Sequence, residues 1–282
     1  MEEHVSQVTL WLNHIFGPPA LSLLHAMHVQ PADYETPIPE YVVMSVIVLV
    51  FCTILTLILR ARLSVERPGA TQQIAEMLLT NPLGFGIKDL LEENVHHGGE
   101  KFIAFTGSIS IFILFSNLLS VFPAFSSPTG NAVVPLGCAI LTFVYFNWQG
   151  IRHHGPLHYL LTFAGSPKKL GDWVLAILLF PVELISTSAR LLSLTVRLWA
   201  NIFASDLIYI IFLGLLLGPA QWAWHRNPVF GIVLAVFPAL FPLLFIGLHI
   251  FVSVIQAYIF TVLPSIYWVW RLRTNTSLCR LA

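Results

Sequence analysis

The chain has 282 residues, of which 56% are hydrophobic and 10% charged, and its 14 Lys and Arg are balanced by 14 Asp and Glu. A soluble domain carries about 25% charged residues, so this composition excludes a water-soluble globule. Zero formal net charge removes any bulk attraction for nucleic acid. The apolar runs are about 20 residues or longer, where barrel strands would alternate over about 10, so the expected class is an all-α integral membrane protein.

The N-terminus, "MEEHVSQVTLWLNHIFGPP", begins acidic, lacks a basic leader and has no small-residue cleavage site. It reads as neither a signal peptide nor an Arg-rich transit peptide. Residues 1–37 form an expected extracytoplasmic segment, in which 9–24 have the length of a short interfacial helix, and 38–282 form a single membrane domain. The first predicted span is about 41–59 and ends at Arg60 and Arg62. An amphipathic surface segment follows at about 72–95. Spans at about 102–122 and 132–148, joined by "PAFSSPTGN", read as a membrane hairpin. A polar loop at 149–171 carries Arg152, His153, His154, His158, Lys168 and Lys169. Two far longer apolar stretches complete the chain, at about 172–218 and 228–270. Between them "GPAQWAWHRNP" reads as an interfacial loop.

The distribution of Lys and Arg decides how many times these stretches cross. None precedes Arg60; five lie in 60–101, none in 123–131, three in 149–171, one at Arg226, three after residue 270, and two, Arg190 and Arg197, within the membrane. Five passes, with the N-terminus outside, put every loop and tail cation except Arg226 on the cytoplasmic side. Two further turns would also satisfy the charges, but neither long stretch contains a clear one. A 47-residue helix is about 70 Å long and the hydrocarbon core about 30 Å thick. The last two helices are therefore expected to be strongly tilted, with Pro181, Pro238 and Pro242 as candidate kinks.

The fourth predicted span carries a polar stripe. Glu183, Arg190 and Arg197 recur every seven residues, each step returning to within about 20° of one face. Ser186, Ser193 and Asn201 share that face. Asp206 lies nine residues past Arg197, which points it about 180° away. The fifth span has a second stripe, His249, Ser253 and Gln256, at i, i+4 and i+7. Glu183 can pair with Arg190, and the serines can serve as interhelical glue. Arg197 has no acidic partner within one helical turn. An Arg in hydrocarbon stays charged, so it reads as facing a moving charge or a water pathway.

These residues carry a family resemblance. "RLLSLTVRLWANIFASD" resembles the motif of subunit a of the F-type, rotary ATP synthases, "HIFVSVIQAYIFTVL" resembles that family's C-terminal motif, and "FSNLLSVFPAFSSPTGN" its second-span exit. Together they cover most of the chain from about 38 to 267. The resemblance implies a membrane stator beside a rotating ring of c subunits, held by b-type peripheral stalk subunits and the remaining ATP synthase subunits. It implies that Arg197 faces the ring carboxylate, drives release of its proton and blocks a leak between two aqueous half-channels. It further implies proton-transfer or supporting roles for Asp206, His249 and Gln256, with Asn201, Glu183, Ser186, Ser193 and Arg190 along the access pathways. The chain departs from the family pattern at Leu191, at Trp199-Ala200, at Ser205 and at Ser120, where some members carry an acid.

No cofactor or metal is expected. Adjacent histidines at 96–97 and 153–154 diverge by about 100° on a helix, and no Cys or acid cluster completes a site. No Gly-rich phosphate loop is present, so nucleotide chemistry belongs to partner subunits. The alternative reading is a proton-coupled secondary transporter or a proton-translocating subunit of another complex; a transporter would favour an inverted repeat, and the two long helices carry different polar sets. The expected location is a bacterial inner membrane. A mitochondrial inner membrane remains open, because an organelle-encoded copy would also lack a transit peptide.

Overall fold

The structure is a computed structural model that describes residues 6–28, 30, 34, 36–64, 68–70, 72, 73, 76, 100–122, 125–165, 170–226 and 244–260. Among these residues the regular structure is entirely helical. In chain order the helices are α1 (Gln7–Ala26), α2 (Glu40–Ala61), α3 (Glu100–Leu119), α4 (Val133–His154), α5 (Pro156–Phe163) and α6 (Leu170–Arg226), with a single 3₁₀ turn at Pro128–Gly130, and α7 (Leu244–Phe260). Three described segments, Glu40–Ala61, Val133–Arg152 and Trp173–Phe212, are long and apolar enough to cross a membrane, and Ala104–Leu119 and Leu244–Phe260 are shorter apolar helices. Of the surface segment expected at 72–95, only residues 72, 73 and 76 are described; Pro238, Pro242 and the C-terminal arginines lie outside the described residues.

The long fourth stretch forms one unbroken helix of 57 residues, about 85 Å in length. Pro181 sits inside it, and no turn folds it into two passes. The helix also runs through Gly218 and Pro219 to Arg226, where the sequence reads as a loop. Pro219 removes one backbone hydrogen bond, but the run after it, with Ala220, Gln221 and Ala223, favours helix. The expected polar loop at 149–171 is likewise largely helical. α4 continues to His154 and stops at Gly155, which has φ +77° and donates its N–H to Ile151 O at 2.8 Å. That is a left-handed glycine cap. Pro156 then opens α5 at a position where its missing N–H costs nothing.

The chain divides into two compact units. One comprises Met1–Leu55, Phe112–Val134 and Leu198–Gln256; the other comprises Thr56–Ile111, Pro135–Arg197 and Ala257–Ala282. In the first, Met44, Ile113, Leu198 and Ile202 are buried and Phe51 meets Phe115 edge-on at 5.2 Å. The N-terminal segment is tied in by polar contacts. Ser6 caps α1, its hydroxyl accepting from Thr9 N–H. The buried Asn13 side chain accepts from Ile38 N–H at 3.0 Å and donates to Ile38 O at 3.1 Å. Glu40 accepts from Ser6 N–H and from the Ser126 hydroxyl. In the second unit Phe105 stacks on Tyr145 at 3.6 Å, the Tyr159 hydroxyl donates to Asn147 Oδ1 at 2.7 Å, and Ser110 donates to Ala257 O.

Candidate proton-transfer site

An α-helix leaves its last four carbonyls without partners in the helix, and in a membrane each needs one. α3 ends at Leu119, so those carbonyls belong to residues 116–119. Ser116 O accepts from the Ser127 hydroxyl at 2.9 Å. Asn117 O accepts from the Ser120 hydroxyl at 3.0 Å and lies 3.0 Å from His249 Nε2. Leu118 O and Leu119 O accept from Val121 and Phe122 N–H. The end of α3 is thus capped in part by α7, through the one imidazole that the sequence singles out in the fifth span.

This contact determines which ring nitrogen carries a proton. A carbonyl oxygen only accepts, so Nε2 must donate to Asn117 O. Ser120 Oγ is also 2.9 Å from Nε2. With its own hydrogen turned to Asn117 O, the serine offers a lone pair to the same N–H, which it shares with the carbonyl. Nδ1 is then the nitrogen left to gain or lose a proton.

All three residues of the fifth-span stripe are buried, with His249 7%, Ser253 0% and Gln256 1% exposed. Leu244, Leu248, Phe251 and Val254 on the same helix are exposed. Such an arrangement, polar inward and apolar outward, is the one a bilayer favours. Ser253 donates to His249 O at 2.7 Å. The Oε1 of Gln256 and the Nδ2 of Asn117 are buried with no hydrogen-bond partner among the described residues.

Asp206 on α6 belongs to the same unit. It is half-buried and within electrostatic reach of His249. Its carboxylate lies beside Gly130, where an added Cβ would stand 3.7 Å from Oδ2. Asn201 is half-buried.

The other residues of the fourth-span stripe are placed differently. Arg190, Ser193 and Arg197 are exposed, and Glu183 and Ser186 are half-buried. Among the described residues, none forms a hydrogen bond or ion pair with the Arg197 side chain. Thr187 and Thr195 on the same helix are buried and return their hydroxyls to Glu183 O and Leu191 O. The structure therefore brings Asp206 and His249 into one unit with Gln256, while Arg197 stands on the open side of its helix. Sequence reasoning passed over Asn117 and Thr129. An Asn near the end of an apolar span was a usable signal, because a buried carboxamide needs a partner.

The family model described as ATP synthase A chain matches residues 41–269. The chain is 34% identical to ATP synthase subunit a of Koribacter versatilis over 264 residues, 94% of this chain and 95% of that one. It is 40% identical to ATP synthase subunit a of Solibacter usitatus over 236 residues, covering 84% and 88% of the two, and 33% identical to that of Nitratiruptor over 218 residues, covering 76% and 83%. With a match of this extent, and with apolar helices that expose their apolar faces, the chain belongs to the ATP synthase A chain family and is a multi-pass membrane subunit of the ATP synthase complex.

Proposed function

We propose that this subunit carries protons between two aqueous half-channels and uses Arg197 to couple their passage to rotation of a c-subunit ring. The observation that carries the reading is the exposure of Arg197 on a membrane-crossing helix, with no described residue paired to it. A guanidinium cannot shed its charge, and an ionised group facing hydrocarbon alone is costly. It therefore needs an anion or water from beyond the described residues, and the ring carboxylate supplies the anion. Arg197 draws the proton off each arriving carboxylate and closes a direct leak between the half-channels. Small residues near it, Ser193 and Ala200, permit close approach of the ring.

His249 and Asp206 hand protons along one half-channel, supported by Gln256 and Asn201; Glu183, Ser186, Ser193 and Arg190 line the access pathways. The partners are the ring of c subunits, b-type stalk subunits, the remaining ATP synthase subunits and lipid. The membrane is a bacterial inner membrane, in keeping with the bacterial relatives, with the N-terminus outside and the C-terminus in the cytoplasm. Residues 1–37 form an extracytoplasmic segment ahead of one membrane domain. Nucleotide chemistry is left to partner subunits.

The test is Arg197→Ala in the whole complex, reconstituted in sealed vesicles. ATP-driven acidification is lost and the passive proton leak rises. Pumping at the wild-type rate would overturn the assignment.

A further inference from the structure

The turn Pro128–Gly130 packs on Asp206 and holds Asn117, the residue on which His249 rests, and the roles proposed above do not use it. Thr129 is 0% exposed, and its hydroxyl donates to Asn117 Oδ1 at 2.6 Å. Ser127 Oγ lies 2.7 Å from Thr129 Oγ1 and donates to Ser116 O. The turn is thereby fastened to two successive residues of the fraying end of α3. Gly130 packs on Asp206 and Ile202 of α6.

We infer that Thr129 and Gly130 are positioning residues for proton transfer: Thr129 sets Asn117, on whose carbonyl His249 rests, and Gly130 leaves the space in which the Asp206 carboxylate sits. The inference rests on the proposed proton path and names two residues outside it.

Asn117 links the two parts. Its side-chain oxygen is held by Thr129, its backbone oxygen holds His249 Nε2–H, and the whole residue is 0% exposed. A Val at 129 would keep the branched shape and lose the donor, so shape alone does not call for a buried hydroxyl. Without that hydroxyl the last turn of α3 loses one of its two ties to residues 127–129, and Asn117 O can drift from Nε2. Hydrogen bonds weaken steeply with distance and angle, so a small drift frees the ring to change tautomer and orientation.

At Gly130 a methyl group would meet Asp206 Oδ2 and Ile202 Cγ2 at 3.7 Å, ordinary contact; a branched side chain would have to push the carboxylate aside. Among the described residues, Asp206 from α6 is the charged group within electrostatic reach of His249. The end of α3 and the turn after it contribute the uncharged Asn117 and Ser120, and Thr129 holds the Asn117 side chain.

The experiment measures ATP-driven proton pumping by the whole complex in sealed vesicles, as rate and as pH profile, at matched levels of assembled complex. Thr129→Val slows pumping about tenfold, the scale of losing one orienting hydrogen bond in a transfer step, and moves the pH profile. Thr129→Ser keeps both at wild-type values. A Thr129→Val complex with wild-type rate and profile overturns the inference, as does a Ser variant as impaired as the Val one.

Should Thr129→Val fail to assemble, the Gly130 pair decides. Gly130→Ala pumps as wild type, and Gly130→Val is slowed with a moved profile. A wild-type Gly130→Val complex overturns the inference. Asp206→Asn separates this result from the underlying reading. If Asp206→Asn pumps normally, the proton path itself is wrong. If it is slowed while Thr129→Val and Gly130→Val are not, the path stands and the turn has no role in it.

Discussion

His249 Nε2 lies 3.0 Å from the carbonyl oxygen of Asn117, a contact between residues 132 apart in the chain. The carbonyl is one of the four that α3 cannot satisfy for itself, so a single bond both caps a helix and orients an imidazole. It commits the Nε2 proton to structure and leaves Nδ1 for exchange. The relay proposed for His249 is thus tied to the integrity of one helix end.

Replacing His249 or changing its neighbour should show this directly. His249→Ala slows ATP-driven pumping and alters its pH dependence. Ser120→Asp places a carboxylate near Nε2, where Ser120 Oγ now lies at 2.9 Å. A carboxylate there competes with Asn117 O for the Nε2 hydrogen and is the stronger acceptor, so the ring is held differently. The pumping profile of Ser120→Asp therefore departs from that of wild type. A profile unmoved in both variants would remove His249 from the path.

Gln256 offers a separation between structure and transport. Its Oε1 is buried without a partner among the described residues, so replacing it breaks none of their hydrogen bonds at that atom and relieves a desolvated acceptor worth about 1–3 kcal/mol. Gln256→Leu is expected to assemble at the wild-type level, judged by complex recovered from membranes, while pumping falls several-fold. Loss of assembly in step with pumping would assign Gln256 a purely structural part.

Much of this was legible before any coordinates. Apolar runs located the helices, and the spacing of His249, Ser253 and Gln256 marked one face, which is buried. The continuity of α6 followed from a long run with no turn residues. The extension of that helix past Gly218 and Pro219 was not legible, because punctuating residues are read locally while a long helix is sustained by its neighbours. Nor was the polar loop after α4 read as helix; there Gly155 and Pro156 mark a single tight joint. In the site, the His249–Asn117 pair was hidden for a different reason. Periodicity reports which residues share a face of one helix and carries nothing about which distant helix end that face meets. Thr129 was hidden in a segment whose Pro, Ser and Gly residues read only as a turn.

Arg197→Lys is not a conservative change in this setting. Lysine keeps a cation only where water or an anion holds it, and it can lose its proton in a dry site, whereas guanidinium cannot. The lysine complex should assemble normally and lose ATP-driven acidification nearly as fully as Arg197→Ala. Pumping within about threefold of wild type would mean that any cation suffices, against the role that fixed charge plays here.

Gly150 gives a prediction independent of proton transfer. A Cβ at this position in α4 would run into the Tyr159 ring at Cε2, closer than any carbon contact allows. Tyr159 is buried, and its hydroxyl holds Asn147 Oδ1 at 2.7 Å, so the ring cannot yield without breaking that bond. Gly150→Ala should thus destabilise the α4–α5 joint by about 1–3 kcal/mol, the usual penalty for overpacking. It should appear as greater protease sensitivity near residues 150–160 of the solubilised complex. Tyr159→Phe alone loses only the hydrogen bond and should be the milder variant. A Gly150→Ala complex as resistant as wild type would show that α5 can swing away from α4 at no cost, with Gly155 as its pivot.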